Sequence, residues 1–156
     1  MINVNILGFE DLTLTDVIFD YNGTLAVDGI LIEGVAEQLI ALAEKINIHV
    51  VTGDSLGTAR DELKGIPCTV FITPQREQGL AKQAYIQKLN PQSTISIGNG
   101  RNDQQIMKES AVGVIILGPE GAAKEAVMAA DIIVTNIFDA INLLLHPGHL
   151  LSTLRS

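Results

Sequence analysis

Four short segments of this 156-residue chain carry polar groups suited to handling phosphate and a hard cation. In the first, Ile18-Phe19-Asp20-Tyr21-Asn22-Gly23-Thr24-Leu25, an apolar run gives way to a glycine turn and leaves the Asp20 carboxylate at its end. Gly23 permits a sharp backbone reversal beneath that carboxylate, and Thr24 adds a hydroxyl to the turn. The second is Val50-Val51-Thr52-Gly53-Asp54, where a hydroxyl and the backbone N–H groups after it open a helix. Helix openings of this kind suit phosphate oxygens. The third is Lys82, near the start of the helical pattern 82–89. The fourth is Ile97-Gly98-Asn99-Gly100-Arg101-Asn102-Asp103, again a strand, a glycine turn and a helix start.

Carboxylates and amide oxygens gathered at adjoining strand ends describe a hard-cation site, and magnesium prefers one or two carboxylates, substrate phosphate oxygens and retained waters. A lysine adds the positive charge that a transferring phosphoryl group requires. An aspartate beside it can attack phosphorus and form an aspartyl phosphate. Each piece alone has a plainer reading. Thr52-Gly53 is ordinary helix-start chemistry, Lys82 a solvated helix-face lysine, Asn99-Gly100 a turn, and Asp54 and Asp103 capping residues. The order and spacing of all four favour a single site.

The elements that would position these groups follow from the hydrophobic pattern. Residues 16–20, 46–52, 68–73, 94–98, 112–117 and 131–135 read as strands, and 34–45, 55–64, 76–89, 102–110, 121–129 and 136–145 show helical spacing. Such alternation predicts βαβ units, hence a three-layer α/β/α fold with a Rossmann-like parallel sheet. Its ligands collect at the carboxyl ends of the strands. Residues 2–7 and 12–20 read as an N-terminal hairpin, with a plain loop at 8–11 as the alternative. Asp28-Gly29 between short apolar runs is a strong hairpin signal and predicts a small β-hairpin flap after the first segment. No repeat, linker or low-complexity stretch divides the chain, so 1–156 reads as one domain.

Composition narrows the function further. Apolar residues make up 47% of the chain and aromatics only 4%, so Ile, Leu, Val and Ala must fill the core, as in helix-covered parallel sheets. A formal charge of −8 argues against nucleic acid or an anionic membrane surface as partner. The single cysteine, Cys68, has no partner for a disulfide and suits a reducing compartment. Following Pro67 in a β-branched run, it reads as a buried, inert thiol. The N-terminal stretch carries Glu10, Asp11 and Asp16 and no basic region, and no apolar run reaches membrane-spanning length. A cytoplasmic location is the expectation.

Taken together, the motifs resemble those of the haloacid dehalogenase-like (HAD) superfamily of aspartate-nucleophile phosphatases and phosphotransferases. Within it the likeness is strongest to the phosphorylation domain of P-type ATPases and their small soluble relatives. Asp20-Tyr21-Asn22-Gly23-Thr24-Leu25 is similar to the first motif, Thr52-Gly53-Asp54 to the second, Lys82 with Tyr85, Ile86 and Leu89 to the third, and 98–103 to the fourth. The resemblance spans most of 16–145. It implies Asp20 as nucleophile and magnesium ligand, the backbone carbonyl of Asn22 as a further ligand, and Asn99 and Asp103 completing the set. It also implies that Thr52, Gly53 and Lys82 hold the phosphoryl group. The ATPases' nucleotide-binding insertion between the first two motifs has no room here, and nor does a cap domain, so the mouth of the site should be open.

Two positions depart from the family pattern. Asn22 stands where superfamily phosphatases usually place a general acid, a group that contributes roughly 10²–10⁴-fold. Asn99 stands where an acidic metal ligand is usual. The expectation is therefore a magnesium-dependent phosphohydrolase or phosphotransferase of low rate acting on a phosphorylated substrate. The alternative is a catalytically weak module for phosphate or metal sensing, or for protein interaction. The apolar stretch 143–151 either packs on its own chain or forms a homo-oligomer contact, and His146 and His149, separated by Pro147-Gly148, read as turn residues rather than a metal pair.

Overall fold

The computed structural model describes residues 1–156. At its centre lies a parallel sheet of β3 (Asp16–Phe19), β6 (Asn47–Thr52), β7 (Thr69–Ile72), β8 (Thr94–Gly98), β9 (Val112–Ile116) and β10 (Ile132–Val134), in spatial order β10-β9-β8-β3-β6-β7. Two antiparallel ribbons flank it, β1 (Ile2–Val4) with β2 (Leu12–Leu14), and β4 (Ala26–Val27) with β5 (Ile30–Leu31). The helices are α1 (Val35–Ala43), α2 (Ala59–Glu62), α3 (Gln78–Ile86), α4 (Gln104–Glu109), α5 (Lys124–Ala129), α6 (Ile137–Leu145) and α7 (Gly148–Leu154).

The strands are apolar on both faces because both faces are covered. Side chains alternate along a strand, so Val17 and Phe19 of β3 enter the core shared with Leu39 and Leu42 of α1 and Ile141 and Leu144 of α6. Ile18, between them, points the other way and meets Val51, Ile86 and Ile106 under α3 and α4. The N-terminal ribbon turns Ile2, Val4, Leu12 and Leu14 into the first of these cores. Its second strand ends at Leu14, and the main sheet begins anew at Asp16. The predicted hairpin therefore closes within 2–14, and 16–19 belongs to the central sheet. The predicted helix over 55–64 shrinks to Ala59–Glu62 because Gly57, at φ +70°, interrupts it.

Cys68 is half-buried, where the sequence reading expects a buried thiol; the burial it has pushes its thiol up from its ordinary pKa. Leu143, Leu144 and Leu150 are buried within the chain's own core. His146 caps α6 and His149 lies in the first turn of α7; the His149 N–H donates to the His146 carbonyl at 2.9 Å, closing the turn over Pro147-Gly148. No helix is long and apolar enough to cross a membrane.

At the amino end of the sheet, away from the four motifs, Asp16 accepts hydrogen bonds from Thr15 at 2.6 Å and Asn47 at 3.1 Å and pairs with His49 at 3.0 Å. Burial raises the Asp16 pKa, but these partners outweigh it and hold the carboxyl below its usual range.

The register decides where polar groups meet. Phe19 is paired with Val50 on one side and Ile97 on the other, so Asp20, Thr52 and Asn99 emerge at neighbouring carboxyl ends. The chain runs from β3 outward through β6 and β7, then returns to place β8 on the opposite side of β3. The crevice at such a reversal is where open α/β sheets bind ligands. No cap domain is inserted over it; the β4–β5 ribbon alone overhangs the first motif.

Candidate active site

A cleft of about 200 Å3 opens at these strand ends, lined by Asp20, Asn22, Thr52, Gly53, Asp54, Ser55, Gln78, Asn99, Gly100 and Asn102. None of these side chains is hydrophobic. Of the residues singled out in the sequence, Asp20, Asn22, Thr52, Gly53 and Asn99 line the cleft. Lys82 and Asp103 do not; both are almost wholly buried in the wall behind it.

Those two residues are joined to Asp20. Lys82 Nζ donates to Asp20 Oδ1 at 2.7 Å and to Asp103 Oδ1 at 2.6 Å. Asp103 Oδ2 accepts the backbone N–H groups of Asn99 at 3.1 Å and Gly100 at 2.9 Å. Asp103 thus fixes the shape of the turn that carries Asn99. A side chain at Gly98 would collide with this carboxylate, which explains the glycine there. Two buried carboxylates share one ammonium, leaving net negative charge on the floor. Burial first, and Asp103 second, push the Asp20 pKa up to about 6, against the opposing pull of Lys82. The same two carboxylates raise the Lys82 pKa in spite of burial, which alone would lower it.

The first motif is wound as a tight turn: the N–H groups of Thr24, Leu25 and Ala26 all donate to the Tyr21 carbonyl. Gly23 sits at φ +79°, and a methyl group there would run into the Asn99 side chain. Glycine is needed at this point on both counts. Asn99 Nδ2 donates to the Gly121 carbonyl at 3.0 Å, which holds the amide across the turn. The Asn22 side chain is engaged as well: its Oδ1 accepts the Gly29 N–H at 3.0 Å. The Gly29 carbonyl receives the Tyr21 hydroxyl at 3.0 Å and the Thr58 hydroxyl at 2.6 Å. One residue at the ribbon's tip, Gly29, is therefore anchored to the first motif and to the segment before α2.

In the second motif Thr52 Oγ1 accepts the Asp54 N–H at 3.0 Å, which leaves the hydroxyl hydrogen for a ligand. Asp54 Oδ1 accepts the N–H groups of Thr58 at 3.0 Å and Ala59 at 3.1 Å, so Asp54 caps α2 from five residues before its first residue. Its capping reading is the one the geometry favours.

Sequence reasoning passed over Ser55, Gln78 and Asn102. Ser55 simply continues the second motif. Gln78 carried a usable signal, since it stands four residues before Lys82 and so on the same helix face. Asn102 lies inside the fourth motif but gains significance only through its bond to Gln78.

No family model matches the chain. An uncharacterized protein of Methanocaldococcus jannaschii is 39% identical over 71 residues, which make up 45% of this chain and 76% of that protein. Among solved structures, the 3-deoxy-D-manno-octulosonate 8-phosphate phosphatase of Moraxella catarrhalis, in complex with magnesium, phosphate and KDO, matches with a TM-score of 0.68 at 16% identity. The match covers 90% of each chain. The cobalt-bound form of the corresponding Haemophilus influenzae phosphatase gives 0.69 at 12% identity, over 92% of this chain and 94% of that one.

Proposed function

We propose that this chain, which has the haloacid dehalogenase-like fold and belongs to one family with the Methanocaldococcus jannaschii protein, is a magnesium-dependent phosphohydrolase acting through an aspartyl phosphate on Asp20. The observation that carries this reading is Asp20 itself: a cleft-lining carboxylate at the sheet's switch point, with one oxygen held by the buried Lys82.

The donor set fits magnesium. The floor has more negative than positive charge, and its available donors are carboxylate, amide and peptide oxygens, which this hard cation prefers. Asp20, Asn99 and the backbone carbonyl of Asn22 would hold the ion, with Asp103 adding charge from the wall. Bound there, magnesium neutralises charge on the phosphoryl oxygens.

The protein's own part follows from the side chains. Lys82 keeps Asp20 ionised and fixes its orientation, so the free oxygen attacks phosphorus as the ester P–O bond breaks. The phosphoryl group becomes attached to Asp20 and the alcohol leaves. Water then cleaves the aspartyl phosphate, returning inorganic phosphate and the free carboxylate. Thr52 Oγ1 and the backbone N–H groups around Gly53 hold the phosphoryl oxygens through both steps. Asn22 can neither protonate the leaving oxygen nor activate water, so both proton transfers fall to solvent and turnover is slow.

The test is a panel of phosphomonoesters assayed with magnesium, comparing wild type with Asp20→Ala. Magnesium-dependent phosphate release that disappears in the variant is expected. Equal release by the variant would end the proposal.

A further inference from the structure

We infer that Gln78 is a second phosphoryl-binding group of this site, donating through Nε2 to a phosphoryl oxygen, and that Asn102 is the positioning residue that turns its amide toward the cleft. The inference rests on the phosphohydrolase reading above and extends it to Gln78, outside the four motifs, and to Asn102, a fourth-motif residue to which that reading gives no role.

Gln78 opens α3 and Lys82 follows one turn later, so both project from the same face toward the sheet ends. Lys82 is buried beneath the carboxylates and makes charged bonds to two of them. Gln78 lines the cleft itself. The side-chain donor that α3 presents to the open space is therefore the amide.

Its orientation is set from one side. Asn102 Nδ2 donates to Gln78 Oε1 at 2.8 Å. A carboxamide has its acceptor on one arm and its two N–H donors on the other, so fixing the oxygen directs Nε2 away from Asn102. Nε2 lies over Gly53, where it is the first atom that a side chain at that position would strike. Gly53 has no left-handed φ to explain its identity. Its missing side chain leaves room for the amide. Gln75 Nε2 also donates to the Gly53 carbonyl at 3.2 Å and holds that peptide in place.

These contacts put a pair of unused N–H donors beside the Thr52-Gly53 turn, where the phosphoryl group would be held. The donor is neutral. It therefore adds a hydrogen bond to the phosphate without competing with Lys82 for the Asp20 and Asp103 carboxylates.

The probe is beryllium fluoride with magnesium, which mimics a phosphorylated aspartate, with binding read by titration calorimetry and thermal shift. Wild type should bind and Asp20→Ala should not. Gln78→Ala should bind about tenfold to a hundredfold more weakly, the range for losing a hydrogen bond to a charged group, with the melting temperature of the ligand-free protein unchanged. Asn102→Asp offers Gln78 only acceptors, so it should turn the amide oxygen toward the cleft and cause a similar loss. The double variant should then lose no more than Gln78→Ala alone, a non-additivity that a merely structural role for Asn102 would not produce. If Gln78→Ala binds as tightly as wild type, Gln78 is not a phosphoryl donor. If wild type itself forms no Asp20-dependent complex, the phosphohydrolase reading fails and this inference with it. Should Gln78→Ala fold poorly, the well-folded Asn102→Asp protein decides the matter: undiminished binding by that variant overturns the inference.

Discussion

Asn22 Oδ1 accepts the Gly29 N–H at 3.0 Å, so the residue two places beyond Asp20 ties the overhanging ribbon to the site. The Asn22 amide thus has a structural job. This job needs only an acceptor oxygen, and an aspartate retains one.

Asn22→Asp should therefore keep the ribbon anchored while offering its second oxygen for proton transfer. Hydrolysis should rise by about 10²-fold or more, the lower end of what general acid–base help contributes. Steady-state phosphate release, together with the rate of decay of the phosphorylated protein, measures the gain. An unchanged rate would locate the slow step elsewhere.

Asn99→Asp restores a carboxylate to the fourth motif and should tighten magnesium binding by about tenfold, as expected for one more charged ligand. The same change breaks the bond from Asn99 Nδ2 to the Gly121 carbonyl and sets an anion against that oxygen. The melting temperature without metal should therefore fall, and added magnesium should recover it. Calorimetric titration and thermal melts on both proteins follow the two effects separately.

Removing Lys82 leaves Asp20 and Asp103 buried without a counter-charge. Lys82→Met should destabilise the protein by about 3–5 kcal/mol, the usual cost of breaking a buried pair from one side. Adding Asp103→Asn to that variant should recover part of the loss, because one of the stranded charges is then gone. Urea unfolding midpoints of the single and double variants check this.

The Asp20 pKa, raised from 3.8 to about 6, sets the sign of a pH effect. A group held above its unfolded value stabilises the fold fully below about pH 4 and loses that contribution as pH rises through 6. In the absence of metal, stability from this group should decline over that interval by about 3 kcal/mol at most. Lys82 stays protonated in both states there and adds no slope. Thermal melts across the interval should show the decline in wild type and not in Asp20→Asn. Magnesium should oppose it, since the ion favours the carboxylate.

Much of this molecule was legible in its sequence, because the signals concerned are local. The alternation of apolar runs with helical spacing specified the order of strands and helices, since both periodicities follow directly from backbone geometry. The polar groups Asp20, Thr52 and Asn99 could be read as strand-end residues because each directly follows or closes an apolar run. The Asp28-Gly29 pair marked the ribbon for the same kind of reason. The limits of the 55–64 helix and of the N-terminal hairpin were less accessible, since Gly57 and the sheet register decide them.

Tertiary structure alone decided how the site is divided. Lys82 looked like a cleft residue, yet its place behind Asp20 and Asp103 depends on how deeply α3 packs against the sheet. Packing likewise determined that the Gln78 amide fills the space above Gly53, because neighbours so distant in sequence leave no periodic trace. The sequence placed an amide, Asn22, two residues past Asp20, but its bond to Gly29 exists only once the ribbon has folded back. Sequence determined which chemical groups reach the strand ends, because pattern and turn chemistry act over a few residues. The fold decided which of those groups face a ligand and which hold the others in place, because that depends on contacts between elements far apart in the chain.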